Sequence, residues 1–147
     1  MKAKENYMLL SGMKPELYQI NQSVISELSH EPGLQVAVLY GTAAAGKLRP
    51  DSDIDLAVLY DRPLSVENRL TLLEQLDKRL SMPVDLVDLS QVSGVILREI
   101  LCRGKVLIKK NPQIFVQLIQ RLVYNQEDVM PYYRAALRER AERFANV

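Results

Sequence analysis

Short β-rich apolar runs alternating with stretches of helical periodicity restrict this chain to a sheet covered by helices. Val36-Ala37-Val38-Leu39-Tyr40, closed by Gly41, reads as a buried strand. Ile54, Leu56, Ala57, Val58, Leu59 and Tyr60 make a second, Val84 to Leu89 a third, and Val106-Leu107-Ile108 a short fourth. Ahead of the first strand, Leu17, Ile20, Val24, Ile25 and Leu28 predict a helix over roughly 15–30, entered at Pro15 and stopped by Pro32-Gly33. Ser65 is placed to cap a helix carrying Val66, Leu70, Leu73, Leu76 and Leu80 on one face. Ser90 is placed to cap another over roughly 91–103, with Gly104 as its stop. Beyond Pro112 the stripe Ile114, Phe115, Leu118, Ile119, Leu122 and Val123 reads as core, and Pro131 predicts a break before a last helix bearing Tyr133, Leu137 and Phe144. The expected class is α/β (α+β), a mixed β-sheet flanked by helices.

A length of 147 residues suits one domain: an arm at 1–13, a core at 14–110 and C-terminal helices at 111–147. With 48% apolar and 25% charged residues, the chain can build a core and is not of the disordered type. A net charge of +1 supplies no global field for nucleic acid or membrane, so direct binding to either is not expected. Cys102, the single cysteine, excludes an internal disulfide and reads as a small buried residue. No secretory leader opens the sequence and no apolar run is long enough to span a bilayer, so a cytoplasmic protein is expected.

The informative segment is Gly41-Thr42, then ten residues, then Asp53-Ile54-Asp55. Side chains alternate along a strand, so Asp53 and Asp55 share a face while Ile54 and Leu56 enter the core. Two carboxylates about 7 Å apart on one strand face can share divalent cations, and hard oxygen ligands suit magnesium. Asp85 in Val84-Asp85-Leu86-Val87-Asp88 completes the cluster if the third strand neighbours the second. Its expected roles are to bind the catalytic metal and to accept the proton of an attacking hydroxyl, within the two-metal logic of in-line phosphoryl displacement. Asp88, three residues on, falls on the opposite face and is left out. Gly41 permits close backbone approach, and Thr42 offers a hydroxyl and amides to a triphosphate. An isolated D-x-D pair is most often a polar turn. The strand context, the preceding Gly-Thr and the third acid favour a site.

Residues 41–47, Gly-Thr-Ala-Ala-Ala-Gly-Lys, come close to a Walker A phosphate loop. Leu48 lacks the hydroxyl that follows the lysine in that motif, and Pro50 arrives where the motif's helix should run. The P-loop reading is rejected.

On these motifs the chain resembles the minimal nucleotidyltransferase family, a branch of the DNA polymerase beta-like superfamily. Gly41-Thr42-x10-Asp53-x-Asp55 and Asp85 within Met82–Leu89 carry the resemblance, and Ile96–Leu101 through Gly104–Leu107 extends it. The family implies a polymerase beta-like fold with two magnesium ions and ATP as substrate. Many of its members are antitoxins that move AMP from ATP onto tyrosine of a HEPN-domain ribonuclease toxin, which implies a hetero-oligomer with that toxin. Carried across, Gly41, Thr42 and Lys47 contact nucleotide, Asp53, Asp55 and Asp85 bind metal, and Asp85 assists the tyrosine hydroxyl. The family often reads G-S-x-A-R-G. Thr42 keeps the hydroxyl of the serine, Ala45 stands in place of the arginine, and Lys47 or Arg49 are the cations at hand to substitute.

Two other functions fit the same residues: an antitoxin that acts by occlusion without chemistry, and transfer to a small molecule. The second normally needs a further substrate-binding helical domain, for which residues 112–147 leave little room. His30 reads as a solvent-facing residue at a helix end. Tyr132, Tyr133, Arg134, Arg138, Arg140 and Arg143 mix aromatic and basic groups, but Glu139 and Glu142 weaken a nucleic-acid reading, and protein contact ranks above RNA contact.

Overall fold

The computed structural model describes residues 15–49 and 51–145, without the side chains of Pro15 and of residues 125–134. Helix α1 spans Pro15–Leu28, β1 Leu34–Tyr40, the one-turn α2 Gly41–Ala44 and β2 Ile54–Tyr60. Then come α3 Val66–Leu80, β3 Val84–Asp88, α4 Gly94–Arg103, β4 Lys105–Lys109 and α5 Pro112–Ala145. The strands form one sheet in the order β3-β2-β1-β4. β1 lies antiparallel to both β2 and β4, while β2 and β3 run parallel. The expected mixed sheet is therefore present.

Alternation along the strands divides the core into two layers. On one face Ala37, Leu39, Ile54, Leu56, Val58, Leu86 and Ile108 pack against Leu17, Ile20, Val24 and Leu28 of α1 and Leu72 and Leu76 of α3. On the other, Val36, Val38 and Ala57 meet Leu97 and Ile100 of α4 and Leu118 and Leu122 of α5. Two arginines tie the helices to the β3 region. Arg69 of α3 donates to the Leu86 carbonyl, and Arg121 of α5 to the carbonyls of Leu89 and Val92.

Several helix details differ from the sequence reading. Ser65 does cap α3, its hydroxyl accepting from the Asn68 amide at 3.1 Å. The buried line of α3 is Leu72 and Leu76 with Leu73 and Leu80 beside it, while Val66 and Leu70 are exposed. This leucine-rich helix offers two overlapping stripes, and packing on the sheet selects one. Ser90 does not cap α4. Its amide and hydroxyl both donate to the Asp88 carboxylate, closing a turn after β3, and the helix starts only at Gly94. Cys102 is exposed, because α4 turns Leu97 and Ile100 towards the sheet and residue 102 away from it.

Gly104 ends α4 for a steric reason: a Cβ there would overlap the Ile100 carbonyl and crowd Val38. Past Pro112 there is one helix, continuous through position 131, where the sequence predicts a break. A proline removes a single backbone bond, and the bonds of neighbouring turns carry this 34-residue helix through it. Its apolar stripe is split, with Leu118 and Leu122 buried but Ile119 and Val123 exposed. The predicted arm at 1–13 lies outside the described residues, as do the side chains of Tyr132, Tyr133 and Arg134. Among the described residues no helix is long and apolar enough to cross a membrane.

Candidate active site

The parallel pairing of β2 with β3 sets Asp55 directly opposite Asp85, between Ile54↔Val84 and Leu56↔Leu86. Neighbouring strands lie about 4.8 Å apart, and paired residues project to the same face. The register is fixed at its entry by the Ile54 amide, which donates to the Pro83 carbonyl at 2.8 Å. It is fixed beyond that by burial, because Ile54 and Leu56 are fully enclosed on the other face and a one-residue slip would expose both. Asp53 stands two residues before Asp55, on the same side, and is exposed. The three predicted acids therefore line one rim, at the end of the sheet face that α4 and α5 cover further along.

Electrostatics agree with that placement. The Asp55 carboxyl is held above the usual carboxylate value by partial burial, by Asp85 and by Asp53, in that order. Tyr40, paired with Asp55 across β1 and β2, belongs to the same rim. Its hydroxyl is pushed up to about 12 by burial and by the charges of Asp55 and Asp85. The sequence reading passed over Tyr40 as a strand end. Strand alternation puts it on the face of Val38, but its pairing with Asp55 comes from the β1–β2 register, which the local sequence does not give.

Gly41 has a φ of +70°, and a Cβ there would overlap the Asp55 carboxylate. The close approach this glycine permits is thus to the aspartate. Thr42 opens the single turn α2, exposed, and its carbonyl accepts from the Lys47 amide at 2.9 Å. That turn packs Ala43 into the core and is followed by coil, then β2 antiparallel to β1, which excludes a P-loop. Lys47 is exposed, and among the described residues its side chain has no ion pair. Arg49 does not face the rim. It lines a cleft of about 450 Å³ with Glu16, Ile20, Arg79 and Met82, beside α1 and α3. Ala45, exposed at the end of α2, adds no cation.

Asp88 is buried away from the rim, where its carboxylate accepts from the amides of Leu64 and Ser90. His30 is exposed at the end of α1. Among the described residues no three acidic, histidine or cysteine side chains close around a point as a ready-made ion cage. An open rim of carboxylates still fits magnesium, which takes one or two carboxylates and fills its octahedron with water and phosphate oxygens. Burial first, and the neighbouring carboxylates after it, raise both Asp55 and Tyr40, and a cation held at the rim would offset that crowding.

A mixed sheet with paired acids at one strand end and a Gly-Thr turn beside them is the architecture of a nucleotide-transferring enzyme. Residues 22–113 match the family "Polymerase beta, Nucleotidyltransferase", and this chain belongs to that family. It is similar to the protein adenylyltransferase MntA of Shewanella oneidensis, with 36% identity over 93 residues, covering 62% of this chain and 67% of that protein. A solved toxin–antitoxin structure with AMP-PNP superposes with a TM-score of 0.65 at 29% identity, over 80% of this chain and 98% of the other. Another, of the tri-AMPylated Shewanella oneidensis HEPN toxin in complex with MNT antitoxin, gives 0.60 at 25% identity, over 83% of this chain and 98% of the other.

Proposed function

We propose that this chain is a cytoplasmic antitoxin that transfers AMP from ATP to a tyrosine of a HEPN-type ribonuclease toxin. The observation that carries the proposal is the register pair Asp55↔Asp85, with Asp53 on the same rim. The names of the similar proteins supply the acceptor class and the nucleotide: a protein adenylyltransferase, a complex with AMP-PNP and an AMPylated toxin.

In this reading Asp53, Asp55 and Asp85 hold magnesium, and Gly41, Thr42 and Lys47 lie along the nucleotide. Bound there, two magnesium ions would neutralise the triphosphate and polarise the attacking hydroxyl. The tyrosine oxygen attacks the α-phosphorus of ATP, the bond to the β-phosphate oxygen breaks, and pyrophosphate leaves. Asp85, the more exposed member of the register pair, accepts the phenolic proton. That help is needed because a free tyrosine ionises only near pH 10. Gly41 keeps the Asp55 carboxylate against the backbone, which fixes one metal ligand before substrate arrives.

The test is intact-mass analysis of the toxin after incubation with this chain, ATP and magnesium. Wild type adds whole AMP units, while Asp53→Asn with Asp55→Asn adds none and still binds the toxin. Transfer unchanged in that double variant would refute the assignment. The occlusion reading, motivated by Ala45, predicts full silencing of the toxin without nucleotide, which the same mixture lacking ATP decides.

A further inference from the structure

We propose that the cleft beside α1 and α3 is a second ligand site, which takes a nucleoside monophosphate without metal. It lies on the sheet face opposite the acid rim and measures about 450 Å³. That volume is in the range of small-molecule sites and suits a ligand of mononucleotide size. Glu16, Gln19, Ile20 and Ser23 fall at helical spacing on one side of α1 and form one wall. Arg79 and Leu80, in the last turn of α3, form a second with Met82. Leu48 and Arg49, in the coil after α2, complete the lining.

That lining divides by chemistry. Ile20 is buried, and Leu48, Leu80 and Met82 are half-buried against the same core layer, so the floor is apolar and fixed. A flat base can lie on such a floor. Gln19 offers a donor and an acceptor to the edge of a base, and Ser23 adds a hydroxyl. Two guanidiniums, of Arg49 and Arg79, border the cleft, and among the described residues neither makes an ion pair or a side-chain hydrogen bond. Glu16 is the one carboxylate in the lining and pairs with neither. Arginine forks match phosphate oxygens two at a time, so an excess of arginine over carboxylate selects a phosphate. Where the acid rim needs a metal to receive phosphate, this cleft supplies positive charge from its own side chains.

Local hydrogen bonds hold both cationic segments in place before any ligand arrives. The Arg49 amide donates to the Ser52 hydroxyl at 3.0 Å, and the Arg49 carbonyl accepts from the Ser52 amide at 3.0 Å. Ser81 ends α3 in the left-handed conformation, its amide donating to the Asp77 carbonyl at 2.9 Å. The Asp77 carboxylate accepts from the Val84 amide at 3.2 Å. The same two segments lead into the strands that carry the acids. Ser52 precedes Asp53, and Met82 precedes Pro83, whose carbonyl anchors β2 to β3. A phosphate shared by Arg49 and Arg79 therefore braces the entry of both strands.

The test is isothermal titration of the full chain with AMP in EDTA, where no metal can serve the rim. Wild type is expected to bind with a dissociation constant below about 1 mM. Arg49→Gln with Arg79→Gln should weaken binding at least about tenfold, while Asp53→Asn with Asp55→Asn leaves it within about twofold. Adenosine, which lacks the phosphate, and inorganic phosphate, which lacks the base, should each bind at least about tenfold more weakly than AMP. Both arginines are exposed, thermal melts check that the variants are folded, and Arg79→Glu alone replaces the double variant if it is not. No binding in EDTA overturns the proposal. So does binding that survives loss of the arginines, or that disappears with the two aspartates, which would return the ligand to the rim. Inorganic phosphate bound as tightly as AMP would reduce the cleft to a plain anion patch and overturn the nucleotide assignment.

Discussion

Asp55 carries a cost that its neighbours impose. Burial, Asp85 and Asp53 all oppose its negative charge, so it holds its proton more tightly in the folded chain than in the unfolded one. The folded state therefore binds more protons in the window above the ordinary carboxylate value of 3.8. Its contribution to stability falls as pH rises through that window and is a penalty above it. Asp55→Asn should raise the melting temperature of the nucleotide-free protein at pH 7, with the gain vanishing near pH 4, while transfer activity disappears. Thermal melts of both proteins across pH decide this, and a destabilised variant at neutral pH would contradict the charge cluster. Gly41→Ala acts on the same carboxylate from the backbone side. With φ at +70° and a Cβ overlapping Asp55, it should cost about 1–2 kcal/mol in denaturant melts. It should also lower transfer by more than tenfold, since the added Cβ displaces the Asp55 carboxylate proposed to hold metal.

At the scale of elements, helix ends and sheet entries do most of the placing. Removing the Ser65 cap of α3 by Ser65→Ala should cost about 1 kcal/mol, read from the urea midpoint. Gly104→Ala should cost more, because its Cβ overlaps the Ile100 carbonyl where β4 begins. The strands were legible in the sequence because each is a short run bounded by glycine, proline or acid. Ile54 and Leu56 flank Asp55 in a way that only one register satisfies. The facing of α3 was not legible, since Leu70, Leu72, Leu73, Leu76 and Leu80 cover more of the helix than the sheet can bury. The start of α4 was missed because Ser90 carries a cap's chemistry but spends it on Asp88. Position 131 misled because a proline weighs heavily in a local reading and little in a long helix already anchored by Leu118 and Leu122.

For the whole molecule, what could be read in advance was the convergence of the acids, and what could not was their surroundings. Asp53, Asp55 and Asp85 were found from spacing alone, given only that β3 lies beside β2. Tyr40 joined them through an antiparallel register that no local pattern encodes. Arg49 was offered as a stand-in cation for Ala45, yet the fold sends it to the opposite side, into the cleft beside α1. Linear proximity to the motif did not decide which face the side chain would reach. The rim as built is acidic, so nucleotide binding should depend on divalent cation more steeply than the bare motif suggests. Titrating ATP against the protein with and without magnesium measures this: binding is expected to weaken at least about tenfold when the metal is chelated.

The central claim is that the acids at the head of β2 and β3 share a cation-bound triphosphate. It is tested most directly by a crystal structure with manganese and a non-hydrolysable ATP analogue, read by anomalous scattering. The predicted result is a peak between the Asp53 and Asp55 carboxylates, bridged to phosphate, with Asp85 ligating the same cluster. A bound nucleotide whose metal lies elsewhere, or whose phosphates avoid these three side chains, would contradict it.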